Sequence, residues 1–118
     1  MDNCEILLSK EADYLLCVLY KEYISLRKNK VPKSRAKYFS SSADIHKKFM
    51  PEAIYEDVDD TCKELHNANM LLCVESDFEV LRAELTDEAI VYMENRYKNN
   101  LKALTSHIIE LAKIILCR

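Results

Sequence analysis

The sequence contains no glycine, only two prolines, and no long apolar run. Each shortage removes a class of answers. Without glycine there is no phosphate-cradling loop, and the G-x-S-x-G elbow that presents a nucleophilic serine cannot be written. Helices that end on a left-handed residue must use a type other than glycine, and asparagine is the next most tolerant. No stretch approaches the roughly 20 apolar residues that span a bilayer, and residues 1–10 lack the basic and apolar regions of a signal peptide. No membrane partner is expected, and the expected location is cytoplasmic. The five cysteines, Cys4, Cys17, Cys62, Cys73 and Cys117, are odd in number, scattered, and form no C-x-x-C pair. They read as reduced thiols serving as small hydrophobes. None is paired by motif with a histidine, so no enzyme and no cofactor are expected.

What is present fits one ordinary domain. The 118 residues can bury one core but not two independent ones. At 49% hydrophobic and 31% charged, the balance is that of a globular rather than a disordered chain. The net charge of −3 announces no nucleic-acid partner by itself, but its distribution is uneven. Arg27, Lys28, Lys30, Lys33, Arg35, Lys37, Lys47 and Lys48 stand against Asp44 alone, a block of +7. Directly after it, Glu52, Glu56, Asp57, Asp59, Asp60 and Glu64 stand against Lys63 alone, a block of −5. The surface is therefore dipolar, and each half suits a different partner.

Apolar residues at Ala12, Leu15, Leu16, Leu19, Tyr23 and Leu26 keep the three-and-four spacing of a first helix over about 9–28. Val31-Pro32 breaks it, because proline lacks a backbone donor and disfavours helical geometry in the residue before it. Ser40, Ser41 and Ser42 offer cap hydroxyls for a short second helix carrying Ile45 and Phe49, ended by Pro51. The 36–39 segment between them reads equally as a turn of helix or as extended chain. A third helix over about 54–68 buries Ile54, Val58, Thr61 or Cys62, Leu65 and Ala68, with Asn69 as its left-handed stop. Residues 70–75 and 78–85 form a hairpin around Ser76-Asp77, whose loop length and register the turn residues leave open. Thr86 caps the next helix, with Asp87 and Glu88 at its positive end.

From Thr86 the helical pattern runs about 30 residues, roughly 45 Å at 1.5 Å per residue. That is longer than so small a core can cover. Ile90, Met93 and Tyr97 complete a domain over 1–97. Beyond a bend at Asn99-Asn100, Leu101, Leu104, Ile108, Leu111 and Ile115 keep the spacing of a helix seeking another helix. Unless it folds back, such a tail needs a second copy. The expectation is a homodimer, with 98–118 as a dimerisation helix continuous with the domain.

The stretches LHNANMLLCVES (65–76) and LTDEAIVYMEN (85–95) resemble the recognition-helix exit, wing and following helix start of bacterial winged-helix regulators of the MarR and PadR types. They resemble more closely still small winged-helix proteins of Gram-positive bacteria and their phages. The likeness covers about residues 10–97. It implies a mainly α fold with a small β-hairpin wing, a winged helix-turn-helix, and a regulator of transcription or of a mobile element. It also places Tyr55, Glu56, Asp59, Asp60 and Lys63 on the outer face of the recognition helix. Here the sequence departs from a typical reader of DNA, since groove contacts need cationic or amide donors and carboxylates repel phosphates.

Two function classes follow. In the first, double-stranded DNA is held by Lys30, Lys33, Arg35, Lys37, Lys47 and Lys48, with Arg82 of the wing entering a minor groove. In the second, the acidic third helix docks on a basic protein surface and no DNA is bound. Asp59, Cys62 and His66 share one side of the third helix, but a half-buried thiol beside a histidine is the plainer reading than a metal pair. His107 and Glu110 resemble half of the dimer-interface metal site of arsenic-repressor-like winged helices. The other half is missing, and no metal is expected.

Overall fold

The computed structural model describes residues 7–116. The chain is mainly helical with one small antiparallel sheet. In order it forms α1 (Lys10–Lys28), α2 (Lys33–Ala36), β1 (Tyr38–Ser40), α3 (Ser42–Phe49), α4 (Tyr55–Asn67), β2 (Leu71–Ser76), β3 (Glu79–Leu85), α5 (Asp87–Tyr97) and α6 (Leu101–Leu116). The second and third helices of the sequence reading are α3 and α4. The undecided 36–39 segment divides between the end of α2 and the start of β1.

Caps fix the helix starts. Ser9, Ser41 and Thr86 accept from the backbone N–H groups of Ala12, Asp44 and Ala89 at 3.1, 3.1 and 2.9 Å, satisfying donors that a first turn otherwise leaves orphaned. Ser9 also donates through its hydroxyl and its backbone N–H to Glu64, at 2.7 and 2.8 Å, which pins the start of α1 to α4. Ile54 is a correction to the expected core. It is the residue before α4 rather than part of its buried stripe, and it is 64% exposed.

In the absence of glycine, seven of the described residues take positive φ: Lys30, Ser40, Asn69, Asp77, Phe78, Lys98 and Asn99. Asn69 follows α4 as the spacing predicts. Asp77 and Phe78, at φ 52° and 68°, make a two-residue turn closed by the Ser76–Glu79 pair. Two consecutive positive φ angles match the right-handed twist of the strands, and this sets the register the turn chemistry left open.

The sheet order is β1-β3-β2. A bulge lets Val74 pair with Arg82 and Glu75 with Val80, leaving Leu81 as the extra residue. That shift of phase allows Val80, Ala83 and Leu85 all to face inward. The core lies between this inner face, α3, α4, α5 and α1.

The helix after Thr86 is not one 30-residue rod. Lys98 and Asn99 adopt left-handed geometry, at φ 46° and 64°, and Asn100 restarts the chain by accepting from the N–H of Ala103 at 3.0 Å. The tail therefore folds back along α1. Leu104 and Leu111 are 1% and 2% exposed within the chain, Ile108 and Ile115 are half-buried against the same core, and Leu101 is 39% exposed. The apolar seam that the spacing reserves for a second copy is thus filled mainly by α1, which is buried on two sides as a result. Among the described residues no helix is long and apolar enough to cross a membrane.

Candidate functional site

Two charged regions carry the candidate residues, and side-chain geometry treats them differently. The first centres on α4 and the hairpin tip. Asp59 does not stand on the outer face of α4 but is 6% exposed. Its Oδ1 accepts from the Ser42 hydroxyl at 2.7 Å and the Val80 N–H at 2.9 Å, and its Oδ2 pairs with Lys63 Nζ at 2.9 Å. Burial alone would raise its pKa, but the Val80 N–H, Lys63 and Ser42 outweigh this and hold it below the ordinary carboxylate range. Asp59 therefore ties the start of α3, the first turns of α4 and the start of β3 into one knot.

Lys63 is spoken for as well. It pairs with Asp59, donates to the Phe78 carbonyl, and has Glu75 and Asp60 close by, so its ammonium is held charged above the ordinary lysine value. Tyr55 donates to Glu79 at 2.9 Å and stands 3.2 Å from the Ser42 hydroxyl. Glu56 and Asp60 remain exposed, and so do Glu75, Asp77 and Glu79 on the hairpin. Sequence reasoning places acids on α4 alone. The structure adds those of the hairpin tip, brought alongside by the Tyr55–Glu79 and Lys63–Phe78 contacts, which no local sequence signal announces.

The second region holds the cations proposed for DNA. Lys33 lies 3.2 Å from Asp87, and Lys37 lies 3.4 Å from Asp87 and 3.8 Å from Glu84. These two lysines lower the pKa of Asp87 at the start of α5. Lys48 pairs with Glu22 of α1 at 3.3 Å and sits over the Phe49 ring. Arg82 lies over the Tyr38 ring, 5.5 Å from its centroid, on the outer side of the sheet. Lys30, Arg35 and Lys47 are exposed and make no ion pair among the described residues. Four of the seven cations thus already have a partner within the chain.

A third cluster is invisible in the sequence. Arg96 of α5 donates to both carboxylate oxygens of Asp13 on α1, at 2.7 and 3.0 Å, and to Nδ1 of His107 on α6 at 3.1 Å. The Tyr97 hydroxyl donates to the same Nδ1 and lies 3.5 Å from Cys17 Sγ. With Nδ1 accepting, the ring proton of a neutral His107 falls on Nε2, which faces Asp13 at 3.8 Å. His107 is therefore turned toward α1 and α5, not into a pair with Glu110. Burial pushes the Cys17 thiol up to about 11 and also raises Tyr97, so neither is poised as a nucleophile or base. The cluster's evident work is to fasten three helices.

Cys62 is wholly buried, and His66 accepts from the Cys73 N–H at 3.2 Å. Among the described residues no group of three or more histidine, cysteine, aspartate or glutamate side chains could hold a metal ion. Comparison of the chain with protein-family models, with curated proteins and with solved structures finds no match.

Proposed function

We propose that this chain is a winged-helix interaction module that engages a basic protein segment through the acidic surface of α4 and the hairpin tip. The winged-helix part of the reading is supported by the order helix, strand, helix, helix, hairpin, with the first strand pairing to the last. One observation carries the choice of partner. The single lysine of α4 is neutralised by Asp59 within a ring formed with Asp60 and Glu75. A polyanion approaching this helix would meet carboxylates, whereas a lysine- or arginine-rich segment would meet complementary charge.

DNA binding is the second reading, favoured by the three exposed cations without an ion pair, Lys30, Arg35 and Lys47. A homodimer accompanies either reading. Its support is a second stripe on α6, Leu101, Thr105, Ile109, Ala112 and Leu116, that repeats every three or four residues away from Leu104 and Leu111.

Fluorescence anisotropy with a labelled octalysine peptide and a labelled random DNA duplex, both at about 20 mM salt where charge attraction is least screened, separates the two. Peptide binding that weakens at least tenfold in the Glu56→Gln, Asp60→Asn, Glu75→Gln triple variant is expected. Duplex binding that is instead lost with Lys30→Gln, Arg35→Gln and Lys47→Gln would transfer the assignment to DNA.

A further inference from the structure

The strand order β1-β3-β2 leaves β2 with a neighbouring strand on one side only. A free edge presents unpaired N–H and C=O groups, which proteins commonly blunt with lysine, proline or a covering element. Leu71–Ser76 contains neither lysine nor proline. The first half of the edge is covered, since the Cys73 N–H donates to the His66 ring of α4 at 3.2 Å. That bond also fixes the phase of the strand. The backbone of Cys73 faces away from β3, and because successive residues turn their N–H and C=O groups to opposite sides, Glu75 faces the same way as Cys73. The bulge does not disturb this, since its extra residue, Leu81, belongs to β3. The Cys73 C=O and both backbone groups of Glu75 thus form an open edge, flanked by the exposed Val74 and Ser76. Among the described residues, no hydrogen bond reaches these groups from outside the sheet.

The two faces beside this edge differ in chemistry. Leu72 and Val74 point away from the core and are 55% and 54% exposed, although both are apolar. The opposite face looks toward α4, as Cys73 shows, its Sγ lying 3.7 Å from the Cys62 carbonyl. On that side Glu75 and Asp60 stand close to Lys63, whose charge Asp59 already balances at 2.9 Å. A strand laid along β2 sends alternate side chains to these two faces. Apolar residues suit the first and lysine or arginine the second.

We propose that the basic segment binds as an added strand on the β2 edge, paired to Cys73 and Glu75, with lysine or arginine alternating with apolar residues. This rests on the acidic-surface reading above and gives the bound segment its backbone geometry. Main-chain hydrogen bonds supply affinity, and the two unlike faces supply the sequence preference.

The test uses labelled heptapeptides titrated into the intact chain by fluorescence anisotropy at about 20 mM salt. The peptide KVKVKVK is expected to bind at least tenfold tighter than KKKKVVV, which has the same composition and charge without the alternation. Methylating the backbone nitrogens of either its valines or its lysines removes the donors along one peptide edge at a time. One methylated form should lose the advantage and the other keep it, because only one edge of an added strand meets β2. The Glu75 amide should also exchange with deuterium at least tenfold more slowly in the complex. Equal binding of KVKVKVK and KKKKVVV, or methylated forms that bind alike, would overturn the added strand while leaving the acidic surface as the docking site. No binding of any peptide would overturn both. A sedimenting mass above that of one chain that falls with Val74→Lys would give the edge to a second copy, and this too would overturn the proposal.

Discussion

Replacing Arg96 with leucine tests the fastening of α6 most directly. The side chains of Asp13 and Arg96 are 17% and 25% exposed and joined by two hydrogen bonds. Exposed ion pairs contribute about 0.2–1 kcal/mol, and breaking a fully buried one costs about 3–5 kcal/mol. A pair this enclosed but still wetted should fall between, at about 2 kcal/mol, because Arg96→Leu strands the Asp13 carboxylate and removes a donor from His107. At ~4 °C per kcal/mol for a chain of this size, the melting temperature should drop by roughly 8 °C.

The pH dependence supplies a sign that mere loss of packing does not. Burial by itself would raise the Asp13 pKa, but the hydrogen bonds and charge of Arg96, with His107, bring it below the ordinary carboxylate value. A depressed folded pKa contributes stability that is complete above the unfolded value of about 3.9 and is lost as pH falls through the folded one. The gap between wild type and Arg96→Leu, followed by urea titration, should therefore be full at pH 7 and narrow as pH falls through and below the ordinary carboxylate range. A gap that stays constant over that range, or a melting shift under about 1 °C, would refute the reasoning. Adding Asp13→Asn and Asp13→Asn/Arg96→Leu completes a cycle in which a coupling of ~1–2 kcal/mol is expected.

Other perturbations follow from the same geometry. Asp59→Ala leaves the Val80 N–H and the Ser42 hydroxyl unpaired and frees Lys63, so urea unfolding should show a loss of about 2–3 kcal/mol, against ±0.5 kcal/mol for Asp60→Ala on the exposed side. Lys98→Gly removes a side chain from a left-handed residue and should stabilise by about 0.5–1 kcal/mol in thermal melts; a lower melting temperature would show that the elbow does not depend on that geometry. The Cys17 and Cys62 thiols, pushed up to about 11 and 12 by burial, should resist iodoacetamide at pH 8 in the folded chain and react fully in urea, as read by peptide mass spectrometry.

Periodicity made most of the elements legible. The stripe from Ala12 to Leu26, the stops at Pro32 and Asn69, the cap at Thr86 and the bend near Asn100 are all local signals, and they stand where spacing places them. What spacing cannot convey is which apolar face meets which. The stripe of α6 is equally suited to a neighbour in another copy and to α1, and only closure of the elbow at Lys98 and Asn99 directs it inward. Charge counts have the same blindness. Lys33 and Lys37 look free until Asp87, 50 residues from Lys37, is placed beside them. Asp59 looks exposed until the hairpin delivers the Val80 amide. A hint was present in its position directly after Val58 and one turn before Cys62 and Lys63, at the margin of the buried stripe.

The docking of α6 on α1 also has a temporal side. A ribosome makes α1 before the helix that packs along it, so the surface around Tyr20 and Ile24, which meets Leu104, goes uncovered by α6 while residues 29–100 are assembled. At about 5–20 residues per second that interval lasts several seconds. During it the nascent chain shows a greasy helix flank to whatever is near, which makes early chaperone contact an expected part of this protein's biogenesis.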